Sequence, residues 1–263
     1  MSLYKSQVTA RLAGAALLGL FSVGLARPAM AADLGGSIKD EPVYAEPPRM
    51  FSWTGFYVGA NLGGAWTRDD ARYSRVTGAG AFSTDLNRSS VVGGGQLGYN
   101  WQAGSFVVGL EADIQAQRLD GHKTVFPFTG NAVDAVTLGQ DSKWFGTVRP
   151  RVGYAADRVL IYVTGGLAYG KVEHSLLESH TSVAGQNRSF TDSSTRAGWV
   201  VGSGIEWAVL DKWTLGAEYL HVDLGSTTIS TAAATVGGFA FPASTARFED
   251  REDIVRAKLN YKF

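Results

Sequence analysis

Cysteine is absent from the 263-residue chain, which excludes a disulfide framework and any thiolate metal site. Its absence suits a protein that must cross an oxidising compartment without mispairing. No run of eighteen apolar residues occurs beyond the N-terminus, so a membrane-spanning helix is excluded, though a membrane β-barrel is not. A charge excess is missing as well: 24 basic residues face 24 acidic ones, and a polyanion-binding role gains no support. Metal, phosphate-loop and serine-hydrolase motifs do not occur in a credible context. The triple glycine at 93–95 has no following helix to make a phosphate cradle. The expectation is a protein that is not an enzyme, carries no cofactor and no metal, and binds no nucleic acid.

What the chain does have begins with a leader. Lys5 and Arg11 precede an apolar run over 12–26, and Ala29-Met30-Ala31 follows as a small-residue cleavage site. Residues 1–31 are therefore predicted to be an export signal. Losing its three basic residues leaves 21 against 24 acidic, a net charge of about −3. Residues 32–52 hold Pro42, Pro47 and Pro48 and little that is apolar, as in an extended or disordered periplasmic arm.

From 53 onward the pattern alternates. Eight segments, near 55–67, 90–102, 105–117, 143–154, 159–171, 195–208, 212–224 and 253–263, place apolar residues on every second position. The third is the cleanest, with Phe106, Val108, Leu110, Ala112 and Ile114 set against Val107, Gly109, Glu111, Asp113 and Gln115. The last sets Val255, Ala257, Leu259, Tyr261 and Phe263 against Arg256, Lys258, Asn260 and Lys262, and Ile254 breaks the rule. Connections after the second, fourth and sixth segments span two to five residues, whereas those at 68–89, 119–141, 173–194 and 224–250 are read as long polar loops. Loops sorted by length to opposite ends describe an outer-membrane barrel. The expected fold is all-β, an eight-stranded antiparallel transmembrane up-and-down barrel with short periplasmic turns, built from residues 53–263. Aromatic residues gather at both strand ends, as interfacial belts would. Pro150 removes a ladder donor, so a bulge or an opened ladder is expected there.

The stretches WTGFYVGANLG, WFGTVRPRVGY, TGGLAYG, GAEYLHVDLG and VRAKLNYKF closely resemble blocks of the outer-membrane immunogenic, porin-like β-barrel family of alphaproteobacteria. The likeness runs in order from Trp53 to Phe263. It implies an eight-stranded barrel of the OmpA-like type in the outer membrane of a Gram-negative cell. Separately, a terminal Phe after alternating apolar residues resembles the signal by which outer-membrane barrels are recognised, so Tyr261 and Phe263 are the expected signal for the barrel assembly machinery.

Parity assigns Glu111, Asp113, Glu206 and Glu218 to the interior, with Arg149, Arg151, Arg196, Arg256 and Lys258. An eight-stranded barrel is only wide enough for side chains to fill, and buried charges must pair. A plugged lumen is expected, with Glu111–Arg149 and Glu218–Arg256 near one level. The leading expectation is a monomeric surface protein that supports the envelope among outer-membrane lipid and lipopolysaccharide. Alternatives are a narrow porin for small solutes, a ligand-binding barrel or a lipid-modifying one. For the last, His174 and Ser175 with Glu173 or Glu178, and His180 close by, are weighed against solvated loop histidines. His221 and Asp223 are read as rim residues. The arginines at 68, 72, 75 and 88 give the first loop a basic character that could face an anionic surface or ligand.

Overall fold

A computed structural model describes residues 51–67, 70–75, 81–85, 87–126, 135–179 and 187–263. The predicted leader and most of the arm lie outside them. Twelve strands follow in order: β1 (Gly55–Thr67), β2 (Asp70–Arg75), β3 (Ala81–Asp85), β4 (Arg88–Ala103), β5 (Phe106–Val125), β6 (Ala135–Ala156), β7 (Val159–Ser179), β8 (Asn187–Ala208), β9 (Trp213–Thr231), β10 (Ala234–Val236), β11 (Phe239–Phe241) and β12 (Ser244–Lys262). Eight of them, β1-β4-β5-β6-β7-β8-β9-β12, make an antiparallel ring. β1 closes it against β12 from Tyr57–Lys262 to Thr67–Glu252. Closure removes every free edge from the membrane-spanning part, where an unpaired peptide group has no water to bond.

The ring follows the predicted parity. Phe56, Leu97, Leu110, Ile161, Leu167, Ile205, Leu215 and Val255 face out, while Tyr57, Gln96, Glu111, Thr147, Thr164, Glu206, Glu218 and Arg256 are buried inside. On β7 the outward apolar positions run from Ile161 to Tyr169, and Lys171 comes next. Ten residues at about 3.3 Å, tilted by about 40°, give a band of about 25 Å, the height of an outer-membrane hydrocarbon layer. The short turns are tight two-residue hairpins at Gly104–Ser105 and Asp157–Arg158 and a slightly longer one over 209–212. Gly104 and Asp157 take the positive φ (60° and 50°) that such hairpins favour. At Pro150 the ladder to β7 opens: pairing jumps from Val148–Leu167 to Arg151–Thr164 without a register shift. Thr164 Oγ1 donates to the Pro150 carbonyl across the gap at 2.9 Å.

The four long connections are not simply loops. β5, β6, β7, β8, β9 and β12 continue into them as strand, and β2 and β3 form a hairpin on the outer part of β12. Among the described residues, β8 and β9 stop pairing at Trp199–Asp223, and β3 and the outer part of β5 share no ladder. Above the membrane the ring therefore divides into two four-stranded sheets, β5-β6-β7-β8 and β9-β12-β2-β3. Between them lies an apolar core of Val136, Leu138 and Leu176 from one sheet and Tyr73, Ile229, Ala246 and Phe248 from the other, with Phe241 from β11. The sequence reading missed it because the inward positions become apolar there and the outward ones polar, the reverse of the pattern in lipid.

Three ladders shift register at this level, one of them between Ala116 and Leu119 of β5, and two of the shifts mark the change of face. In β6, Ser142 pairs with Val172 and Trp144 with Lys171, so Lys143 is extra. In β9, Leu224 and Gly225 together face Asp250 of β12, and Gly225 adopts φ +85°. Each extra residue shifts its strand by one, which turns Leu138 and Val136, or Ile229, towards the interior.

Candidate functional site

The barrel interior is filled in layers. At the periplasmic mouth Trp53, Val107, Ala155, Leu160, Tyr162 and Ala208 pack together. The Trp53 indole donates to the Asp157 carbonyl at 3.1 Å, and its backbone N–H donates to Gln102 Oε1 at 2.7 Å. Phe51 meets Trp53 edge-on at 5.1 Å, so the end of the arm is folded onto this mouth.

Above lies the charged layer. Arg149, with a side chain 0% exposed, reaches Glu111 at 2.7 Å, Asp113 at 2.8 Å and Glu218 at 3.2 Å. Arg256 binds Glu218 at 2.6 Å and Asp113 at 3.0 Å. Lys258 binds Glu111 at 2.7 Å, and Arg151 binds Glu206 at 2.7 Å. Glu111 is directly opposite Arg149 in the β5–β6 ladder, and Glu218 opposite Arg256 in β9–β12. Both pairs meet at Asp113, so the four carboxylates and four cations form one neutral cluster spanning the lumen.

Arg196 does not join them. It lies on β8 ten residues outward of Glu206, about 33 Å along the strand, next to the point where β8 leaves β9. There it meets Asp192 at 3.7 Å and the Ser226 carbonyl at 3.4 Å. Inward parity alone could not reveal its height.

Polar groups that the sequence reading did not single out complete the layer. Tyr57 donates to Glu111 at 2.7 Å and Tyr162 to Glu218 at 2.8 Å, and the Arg151 guanidinium lies 4.8 and 5.0 Å from their ring centres. Asn100, Thr147 and Asn260 add further bonds. Each tyrosine lies over a cross-strand glycine, Tyr57 over Gly98 and Tyr162 over Gly204. A Cβ at Gly98 would stand 2.3 Å from the Tyr57 hydroxyl oxygen, and one at Gly204 would stand 2.6 Å from that of Tyr162. An inward glycine opposite an inward tyrosine was the available signal.

A second apolar layer, including Val92, Phe145, Val200, Leu220 and Ile254, closes the outer half of the membrane segment. Beyond it a cavity of about 20 Å³ between Gln140, Ser142, Val222 and Asp250 has the room of about one water.

His174 is fully buried here, not solvated in a loop. Its Nε2 lies 3.0 Å from Asp250 Oδ1, which also accepts from Gln140, and its ring packs on Phe248 at 4.8 Å. Ser175 and Glu173 fall on the opposite face of β7 from His174. Glu178 is taken by Tyr73 and Ser244, each at 2.6 Å, and by Arg188. Burial, then the bond to Glu178, raises the Tyr73 hydroxyl above its ordinary range and keeps it a donor. His221 meets Asp253 at 2.8 Å, whereas Asp223 caps the Gly225 N–H at 2.7 Å. His180 and Arg68 lie outside the described residues. The catalytic set weighed from sequence is therefore not assembled among the described groups.

Tyr261 and Phe263 meet edge-on at 5.3 Å at the periplasmic rim, and Phe263 is 72% exposed on the lipid-facing parity.

Comparison with known proteins agrees with this architecture. The family described as outer membrane protein beta-barrel domain matches residues 42–263. The 31 kDa outer-membrane immunogenic protein of Brucella melitensis is 36% identical over 263 residues, covering 94% of this chain and 98% of that one. The 22 kDa outer membrane protein of Rhizobium leguminosarum is 33% identical over 177 residues, covering 66% of each. Among solved structures, OprG from Pseudomonas aeruginosa matches 80% of this chain and 96% of its own at 13% identity, with a TM-score of 0.48. The chain belongs to the outer membrane protein β-barrel domain family and is a β-barrel protein of the outer membrane.

Proposed function

We propose that this barrel is a closed structural protein of the envelope, which anchors an extracellular two-sheet body and conducts no ions. The observation that carries the reading is the neutral cluster centred on Arg149, whose side chains cross the lumen between two apolar layers. A conducting pore needs a continuous water path, and paired side chains already fill an eight-stranded interior. Single-channel recording in planar bilayers tests it. The expected result is a flat trace; discrete, reproducible openings from the purified protein would favour the narrow porin instead. The extracellular body offers exposed strand faces to the outside, which fits relatives named as immunogenic proteins. The packing of His174 and Glu178 into structural contacts favours a role without catalysis.

Assembly follows from the same reading. Phe263→Ser is expected to leave synthesis and export intact and to lower the folded yield in the outer membrane several-fold, because it removes an interfacial aromatic from the strand that closes the ring. Quantifying the heat-modifiable folded band in isolated outer membranes checks this. An unchanged band would remove Phe263 from the recognition signal.

A further inference from the structure

We infer that Lys143 and Lys171 form a binding site on the outer wall for a phosphoryl group of an outer-leaflet lipid. The site arises from the β6 bulge. Ser142 and Phe145 are buried inside the barrel, so the extra residue leaves both Lys143 and Trp144 facing outward, directly across from Lys171. Bulges commonly re-aim a side chain in this way. Both lysines are exposed, and among the described residues neither has a hydrogen-bonding or carboxylate partner. The exposed Arg251, by contrast, has Asp223.

Depth identifies the ligand. The lysines sit one step beyond the last outward aromatic of β7, Tyr169, whose ring meets Trp144 edge-on at 6.2 Å. That is the top of the apolar band, where headgroups begin, and each basic residue at such a surface strengthens binding of anionic lipid. Aliphatic stems and two aromatic rings below suit acyl chains, while the ammonium groups reach the phosphate. Asp141 and Glu173 face each other one alternate position further out, about 7 Å along the strands. Their charge disfavours an anion further out, so a phosphoryl group finds its attraction at the lysines and not above them. A free phosphate ion would gain nothing from the apolar floor. This assignment does not depend on the state of the lumen.

Native mass spectrometry of the folded barrel tests it, after release from phosphatidylcholine nanodiscs doped with bis-phosphorylated lipid A or its fully dephosphorylated form. The wild type is expected to retain the phosphorylated lipid at least tenfold better. K143Q/K171Q should lose that preference while keeping heat-modifiable migration, and Lys212→Gln on the periplasmic side should keep it. D141N/E173Q should retain the phosphorylated lipid at least as well as the wild type. Equal retention of both lipids by the wild type, or an unchanged preference in K143Q/K171Q, would overturn the site. Displacement of the lipid by millimolar inorganic phosphate would equally overturn it, by showing a site for the free anion.

Discussion

Arg149→Met is expected to destabilise the folded barrel by about 3–5 kcal/mol, because it leaves four buried carboxylates with only three cations. Arg149 contacts Glu111, Asp113 and Glu218 together, and Arg256 and Lys258, which share these carboxylates, cannot make up the missing charge. Urea unfolding in detergent, followed by tryptophan fluorescence, measures the loss. Arg158→Ala is the internal comparison. Its pair with Asp211 is largely exposed, and such pairs contribute about 1 kcal/mol or less. Adding Asp113→Leu to Arg149→Met restores the balance of charge and should recover more than 1 kcal/mol. Failure of that rescue would mean that lost volume, not lost pairing, causes the destabilisation.

Glu178→Ala is expected to loosen the extracellular body while leaving the membrane ring intact. Glu178 stands on β7 in one sheet and accepts from Tyr73 and Ser244 in the other. It also neutralises Arg188, which bonds across to the Ala232 and Pro242 carbonyls. Removing the carboxylate leaves a buried guanidinium and weakens the link between the sheets by about 3 kcal/mol, or about a hundredfold in local opening. Hydrogen exchange should therefore quicken by that factor in the outer parts of β7, β8 and β12. Amides in the β1–β12 closure should not change. Faster exchange throughout the barrel would show that the sheets and the ring unfold as one unit.

Within the membrane the fold was legible because lipid imposes one demand on every second residue. A charge facing the bilayer midplane costs about 2–4 kcal/mol, and β5 and β12 display the resulting alternation plainly. Inward charges could be paired by counting along adjacent strands from their short turns, which brought Glu111 to Arg149 and Glu218 to Arg256. Height on a long strand was the weak point, as Arg196 shows. Beyond the membrane the alternation persists with its chemistry reversed. Leu176 and Glu178 point inward on β7 while Ser175 and Leu177 flank them. Phe248 and Ala246 do the same on β12. A reading tuned to apolar residues facing lipid finds only polar stretches there. The single-residue bulges at Lys143 and Gly225 shift the phase further, and a one-residue shift moves every later side chain to the other face.

The division of the outer wall into sheets also bears on how the cell surface would be recognised by antibodies. Along the outer part of β8, the residues at 187, 189, 191, 193 and 195 are exposed while those between them lean inward. A binding site on the folded protein would therefore span alternate residues from neighbouring strands. A linear peptide copied from this segment would display both faces at once, including side chains such as Arg188 that the native surface conceals. Sera raised against short peptides and sera raised against whole cells should accordingly overlap little on this part of the molecule.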